Sequence, residues 1–342
     1  MIYQNVELHN VAQITEEGEG RGVLLHRMPT EVEASLNPGA AGGSRTAAGC
    51  EIRFVIQSGE KVVLHLAADV EAGASAPVAL YDGSFQSGWR KSCPNLCAQG
   101  TEVVVERTGF EKQMMDEVAE ANPDAYPFSV QVMRVLLPNV PVRILGIEGD
   151  CRPPKPQELP ACKCLCYGSS ITNGSLAVAR QSNYCFRLGE ILGWDTLNQG
   201  YSGSARLEDC AAQYLAHTVQ WDVATLEMGI NMIDFFTAKE FETIAAHFVE
   251  TIAKANPQKP IYCIDMFYSH NDFHHNPLAP AFRRAVKRIV EKLAMPNLHY
   301  IDGRRLLGSV EHLTGDVVHP DAVGHDQIAR RLARILKAAQ KS

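Results

Sequence analysis

From Ala161 to the C-terminus, short runs that are apolar on both faces alternate with stretches of helical periodicity. The runs are Ala161–Tyr167 (ACKCLCY), a short one near Trp194–Leu197, Val223–Met228 (VATLEM), Ile261–Phe267 (IYCIDMF) and Leu298–Ile301 (LHYI). Between them Phe241, Ile244, Ala245, Phe248 and Ile252 recur at i, i+3, i+4, i+7 and i+11. Phe282, Ala285, Val286, Ile289, Val290 and Leu293 keep the same rhythm, as do Ile328, Leu332, Ile335 and Leu336. A strand apolar on both faces must be covered on both, and amphipathic helices between strands supply the cover. The pattern predicts a parallel sheet in a three-layer α/β/α domain.

The first half has another texture. Short β-branched runs lie between Gly, Pro and Asn: Gly22–Met28, Glu51–Gln57, Lys61–Ala67, Val78–Tyr81, Thr101–Arg107, Val130–Leu137 and Val142–Ile147. In one of them Val62, Leu64 and Leu66 face one way while Lys61, Val63 and His65 face the other. Many short alternating strands predict an all-β sandwich of jelly-roll type, with one helix near Phe110–Ala121. The Gly/Ala-rich segment Asn37–Ala48 reads as a mobile loop. Four prolines in Cys151–Pro160 (CRPPKPQELP) read as a stiff linker. At 342 residues the chain exceeds the usual single domain. The expected division is 1–150 for the β-domain, 151–160 for the linker and 161–342 for the α/β domain.

Net charge is −7, a poor electrostatic match for nucleic acid or an anionic membrane. No run approaches the ~18 apolar residues of a membrane helix. The start, MIYQNVELHN, lacks the basic and apolar regions of a signal peptide. Ten cysteines in 342 residues are too few for a disulfide scaffold. Reduced thiols and a cytoplasmic location are expected.

In parallel α/β sheets, sites form at the carboxyl ends of the strands, so the residues that follow each run carry the functional information. The first run is followed by Gly168-Ser169-Ser170-Ile171-Thr172, the second by Gly200-Tyr201-Ser202-Gly203, the third by Gly229-Ile230-Asn231-Met232. Asp316-Val317-Val318-His319-Pro320 stands just before the last helix. Together these loops hold the parts of a nucleophilic site. Serine is a weak nucleophile until a base takes its proton. Imidazole does that near neutrality, and a carboxylate on its other nitrogen fixes the tautomer. Asp316 and His319 are three residues apart, within one tight turn. A tetrahedral intermediate needs preorganised donors. The Ser170 N–H, the Gly203 N–H and the Asn231 side-chain amide can supply three.

These four blocks, in this order and approximate spacing, resemble those of the SGNH (GDSL-like) hydrolase superfamily. YGSSITNG, NQGYSGSARLE and the N-terminal ALYDG resemble a two-domain branch in which a β-sandwich precedes the catalytic domain. The resemblance implies a serine ester hydrolase with Ser170 as nucleophile, His319 as base, Asp316 as its orienter, and Ser170, Gly203 and Asn231 as the oxyanion hole. It implies no metal and no organic cofactor. The substrate it implies is a small-molecule ester with a short acyl group, such as acetyl on a carbohydrate; assembly into an oligomer is compatible with it. Two positions depart from the family pattern. Ser169 stands where an Asp usually precedes the nucleophile, and Met232 where an Asp usually follows the third-block Asn. Both put the usual supporting hydrogen bonds in question.

An acyltransferase using the same triad is the main alternative; the acceptor that reaches the acyl-enzyme decides between them. A glycan-binding β-sandwich with an inert α/β half is a second. A metal hydrolase built on His270, Asp272, His274 and His275 is a third, although that stretch reads as a polar loop at the pocket rim. Arg206, with Glu208 and Asp209, is either part of a helix-start charge cluster or a substrate contact. Phe85 and Trp89 read as sandwich core or a sugar-stacking pair, and Cys93 and Cys97 as a loop pair. Cys162, Cys164 and Cys166 share one strand face as small buried groups, and His325 reads as structural. No Gly-x-Ser-x-Gly elbow is present, and Gly18, Gly20 and Gly22 do not make a phosphate loop.

Overall fold

The structure, a computed structural model, describes residues 1–342 apart from 17, 19, 72–73, 88–93, 107–108, 274–275 and 340–342; side chains at 58–60, 109–112 and 180 are also left aside. The chain forms two compact units. The first comprises Met1–Thr30, Ser44–Ala161 and Gly193–Asp195; the second comprises Glu31–Gly43, Cys162–Leu192 and Thr196–Ser342.

The first unit is antiparallel. Its strands are β1 (Ile2–Tyr3), β2 (Val6–His9), β3 (Gln13–Glu16), β4 (Val23–His26), β5 (Glu51–Ala68), β6 (Ala79–Asp82), β7 (Phe85–Gln86), β8 (Thr101–Glu106), β9 (Met133–Leu136) and β10 (Val142–Arg152). The order is β3-β4-β10-β5-β9-β6-β7, with β2 and β8 also on β5. The two runs Glu51–Gln57 and Lys61–Ala67 are one strand. Its first residues pair with β2 and β9, and its later ones with β8 and β10. Alternate residues along it, from Ile52, Phe54 and Ile56 to Val62, Leu64 and Leu66, enter one core with Val103, Val135 and Ile144. A single long strand thus serves both layers of the sandwich, because period-2 alternation keeps one face inward from Ile52 to Ile56 and again from Val62 to Leu66.

This unit also buries charge. The Arg53 guanidinium meets Asp195 at 2.8 and 2.7 Å and Glu51 at 2.8 Å; Arg134 meets Glu51 at 2.6 Å and stacks on Phe128 at 3.9 Å. Burial alone would push the Glu51 carboxyl up, but Arg134 and Arg53 hold it well below the usual carboxylate range. Removing one member of such a cluster strands its partners, at a cost of about 3–5 kcal/mol. The proline-rich stretch is tied down as well: Arg152 grips Glu158 at 2.8 and 2.7 Å around the 3-10 turn Pro156–Glu158.

The second unit carries β11 (Lys163–Gly168), β12 (Asp195–Gly200, whose first residue is grouped with the β-rich unit), β13 (Val223–Glu227), β14 (Ile261–Ile264) and β15 (Leu298–Ile301) in the order β12-β11-β13-β14-β15. The pairs β11–β13, β13–β14 and β14–β15 are in parallel register. Helix Tyr184–Leu192 packs with Ala322–Ala339, whereas Asp209–His217, Ala238–Ala255 and Leu278–Leu293 pack in series. Right-handed crossovers require these two groups to take opposite faces once the strand order reverses beside β11. Tyr167 reaches Phe248 on one face, ring to ring at 4.8 Å. On the other face the small free thiols of Cys164 and Cys166 are buried, and Cys166 is hydrogen-bonded to the Cys185 thiol on helix Tyr184–Leu192. Small side chains there allow the helix a close approach.

The segment expected to be a mobile loop contains instead the helix Pro38–Ser44. Asn37 caps it: its Oδ1 accepts the N–H groups of Gly39 and Ala40, both at 3.1 Å. Asn at the cap with Pro at the first turn is a start signal that outweighs the glycines.

Candidate active site

Beside β11 the strand order reverses, and in such sheets that is where the carboxyl ends of the strands, here β11, β12 and β13, place a site. After β11 the chain turns directly into the short helix Ser170–Asn173. Ser169 is its cap: extended backbone, with Oγ accepting the Ile171 N–H at 3.2 Å. That places buried Ser170 on the first turn.

The last loop brings the imidazole to it. His319 Nε2 lies 2.6 Å from Ser170 Oγ, and His319 Nδ1 lies 2.6 Å from Asp316 Oδ2. Asp316 Oδ1 accepts the Thr314 hydroxyl at 2.9 Å and the N–H groups of Val318 and His319, each at 3.0 Å. Burial acts to raise the Asp316 carboxyl; these N–H groups, the His319 ring and the Thr314 hydroxyl outweigh it and hold it well below the usual range. The carboxylate accepts a hydrogen bond from Nδ1–H, so Nε2 is left to accept from the serine hydroxyl. The turn forces Val317 to a φ of +53° with half its surface exposed. A left-handed β-branched residue is a strained one, and such strain gathers at functional loops.

Gly203 follows β12 with a φ of +67°, and a Cβ there would meet nothing within 4 Å, so the backbone faces open space. The N–H groups of Ser170 and Gly203 donate to no other described residue. Asn231, after β13, accepts the Ala205 N–H through Oδ1 at 3.2 Å. That bond fixes which end of the amide is oxygen and leaves the NH2 end as donor. The loops after β11 and β12 are stitched together by Tyr201 N–H to Gly168 O at 2.8 Å and Ser175 Oγ to Ser202 Oγ at 2.6 Å.

Both departures from the family pattern have a structural answer. The Ser169 N–H donates to Glu227 Oε2 at 2.6 Å, and the Thr172 hydroxyl donates to the same oxygen at 3.2 Å. Glu227, at the end of β13, is buried, and its Oε1 has no partner among the described residues. Burial pushes this carboxyl up, opposed by its bonds to Ser169 and Thr172 and by the nearby His319. A carboxyl group from the neighbouring strand thus supports the Ser169–Ser170 turn, with Ser169 reduced to cap. Gly168 makes room for it: a Cβ there would lie 2.5 Å from Glu227 Oε2 and 2.2 Å from Thr172 Oγ1. Met232 is fully buried and acts as apolar packing.

Several supporting residues escape sequence reasoning. Asn37 donates through Nδ2 to Ser204 O at 2.9 Å and also to Glu208, so the Glu31–Gly43 segment braces the Gly203 loop. Arg283, buried, grips Asp272 at 2.7 and 2.9 Å and the carbonyls of Met266 and Phe267. Next to Asp272, the His270 N–H donates to Val317 O at 2.9 Å, bracing the Asp316–His319 turn.

Asp272 therefore serves an ion pair, and among the described residues no group of three or more His, Cys, Asp or Glu could hold a metal ion. His274, His275, Trp89 and Cys93 lie outside the described residues. Phe85 stacks on Tyr126 with centroids 4.3 Å apart. His325 is buried, accepts the Tyr184 N–H at 3.3 Å, and is pushed down to about 4 by burial and by His319. Arg206 makes no ion pair with a described residue and lies over the Phe235 ring at 4.2 Å. No helix among the described residues is long and apolar enough to cross a membrane.

A sheet of this order with Ser, Gly, Asn and Asp-x-x-His on its successive loops, in a chain that also carries a β-sandwich unit, defines the SGNH type of hydrolase fold. The chain belongs to the GDSL-like lipase/acylhydrolase family, whose model matches residues 162–337. No curated protein matches it. Among solved structures, it is similar to a salicylyl-acyltransferase from a tetracycline biosynthetic pathway (TM-score 0.79, 18% identity, covering 98% of this chain and 95% of that one). It is also similar to a family two carbohydrate esterase from Cellvibrio japonicus (0.64, 12%, 98% and 95%). A third is an acetyl xylan esterase from the rumen bacterium Butyrivibrio proteoclasticus (0.56, 13%, 86% and 91%). At these identities the likeness is one of fold.

Proposed function

We propose that the protein hydrolyses carboxylic esters through an acyl-enzyme on Ser170. The observation that carries this is the unbroken chain Asp316 Oδ2–His319 Nδ1 at 2.6 Å and His319 Nε2–Ser170 Oγ at 2.6 Å. Ser170 Oγ attacks the ester carbonyl as its proton passes to His319 Nε2, and Asp316 offsets the imidazolium charge. The oxyanion takes hydrogen bonds from the Ser170 and Gly203 N–H groups and from Asn231 Nδ2; such donors are typically worth about 3 kcal/mol each in the transition state. His319 returns the proton to the leaving alcohol. Water, deprotonated by the same imidazole, then releases the acid.

The substrate read here is a short acyl ester, with acetyl on a carbohydrate as the first choice. The carbohydrate esterases of similar fold support that class. Turnover of p-nitrophenyl acetate and of acetylated sugars, abolished in Ser170→Ala and blocked by a serine-directed phosphonate, is the expected result. Turnover that survives Ser170→Ala would overturn the assignment. Repeating the assay with added alcohol separates hydrolysis from transfer: a product that becomes mostly the new ester would move the reading to acyltransferase.

A further inference from the structure

Arg206 lies three residues past Gly203, and Phe235 lies four residues past Asn231. The two loops that hold candidate oxyanion donors therefore also hold a stacked cation–aromatic pair. The Ala205–Asn231 hydrogen bond joins the loops one residue before the arginine. Phe235 is 61% exposed, an aromatic ring that the fold does not bury. Its face holds the guanidinium carbon at 4.2 Å from the ring centre, a contact that uses none of the N–H donors.

The guanidinium is unusual in what it lacks. Arg53, Arg152, Arg187 and Arg283 all hold carboxylates, at Asp195, Glu158, Asp326 and Asp272. Carboxylates are in surplus in a chain of net charge −7, yet Arg206 holds none among the described residues. Its Nε is shut off from solvent and donates to nothing described. The two terminal Nη groups are not shut off in this way and hold no described partner, so they are the donors open to a ligand. A planar donor fork matches a carboxylate.

We propose that Arg206, seated on Phe235, is a specificity residue that binds a carboxylate carried by the ester substrate. This rests on the hydrolase reading and adds the charge of the substrate to it. The carboxylate could belong to the acyl part or to the alcohol part, and the two are separable. On the acyl side, p-nitrophenyl hydrogen adipate is compared with p-nitrophenyl methyl adipate. On the alcohol side, 4-acetoxybenzoate is compared with its methyl ester. For each pair the charged-to-neutral ratio of kcat/KM is measured in the wild type, Arg206→Gln and Arg206→Lys. In one pair the ratio falls about tenfold in the Gln variant, chiefly through KM, and Lys restores part of it. The pair that responds tells which side bears the charge.

If both ratios stay within twofold in Arg206→Gln while the esters still turn over through Ser170, the proposal is wrong and the hydrolase reading stands. If the wild type turns over none of the four esters, the hydrolase reading fails, and calorimetric titration with 4-acetoxybenzoate and its methyl ester decides. About tenfold weaker binding of the carboxylate alone by Arg206→Gln supports the subsite; equal binding overturns it.

Discussion

Asparagine at position 316 should slow ester hydrolysis by about 10³- to 10⁴-fold with the fold intact. The reason lies in which oxygen does what. Oδ1 receives three protons, from the Thr314 hydroxyl and from the Val318 and His319 N–H groups. Turning the amide so that its NH2 faced them would strand two backbone donors, at about 1–3 kcal/mol each. The carbonyl oxygen of asparagine therefore stays at the Oδ1 position, and its NH2 takes the place of Oδ2, facing His319 Nδ1. Nδ1 must then accept, so the ring proton moves to Nε2, the nitrogen 2.6 Å from Ser170 Oγ. A protonated Nε2 cannot take the serine proton. Recovering the useful tautomer sets Nδ1–H against the amide N–H and loses the existing bond, together about 4–5 kcal/mol, which sets the expected rate loss. Steady-state hydrolysis of p-nitrophenyl acetate gives the rate. Long-range ¹H–¹⁵N correlation on the His319 ring gives the tautomer, Nδ1–H in the wild type and Nε2–H in the variant. An Asp316→Asn protein that keeps more than a tenth of the wild-type kcat/KM, or that keeps the Nδ1–H form, refutes the reasoning.

Three further outcomes follow from the same geometry. Glu227→Ala strands the buried Ser169 N–H, while the Thr172 hydroxyl keeps its bond to the Tyr184 hydroxyl at 2.7 Å, and should cost about 1–3 kcal/mol in urea unfolding, with slower turnover. Glu227→Gln keeps an acceptor for both and removes a buried charge, so it should be as stable as the wild type at pH 7; equal losses in the two variants would contradict this role. Asp265 is buried beside the Tyr300 hydroxyl at 2.6 Å, and burial pushes its carboxyl up to about 6, whereas His325 is pushed down to about 4. The folded state holds the Asp265 proton more tightly than the unfolded chain, so this residue makes stability fall as pH rises from about 4 to 6. His325 makes it rise from about 4 to 6.5, each by about 3 kcal/mol, so they largely cancel. In Asp265→Asn the histidine of this pair is left uncompensated, and stability should climb more steeply over that window than in the wild type; unchanged pH dependence of the urea midpoint is the disproof. Finally, Gly168→Ala drives a methyl to within 2.5 Å of Glu227 Oε2 and should lose both stability and activity. Gly203→Ala meets open space and should cost only about 1 kcal/mol of backbone strain while lowering kcat; comparable thermal losses in the two alanine variants would contradict the contrast.

The parallel domain was legible because its signals are local. Runs apolar on both faces and helices at 3.6-residue spacing name the layers, and the observed strands and helices fall on those runs within a few residues. The three residues that meet at the candidate site, Ser170, His319 and Asp316, were legible for a similar reason. Each sits on the loop that follows its own strand or precedes its own helix, and the carboxyl edge of the sheet gathers those loops. The β-rich unit was less so. Two runs in it are one strand of 18 residues, because Ser58, Gly59 and Glu60 read as a turn while the backbone continues extended through them. The strands β1, β2, β3 and β7 have no more than four residues each, too few for alternation to declare itself.

What escaped sequence reasoning is support that arrives from elsewhere in the chain. Glu227 and Ser169 are 58 residues apart, and Asn37 and Ser204 are 167 apart. No local period relates them. One signal was nevertheless present: in VATLEM, a carboxylate stands in an otherwise uncharged strand that must be buried on both faces. A charge there is unfavourable unless something binds it, so its presence alone calls for a partner. The partner is the N–H of Ser169, where the family pattern would put a carboxylate of its own. An acidic group at 169 would sit against buried Glu227 and repel it, so the serine and the glutamate are one substitution in physical terms: the negative charge has moved from the nucleophile turn to the adjacent strand. It follows that Ser169→Asp should be tolerated only together with Glu227→Gln. The single variant should lose stability and turnover, and the double variant should recover both. Additive losses in that double-mutant cycle would show that the two positions do not share one role.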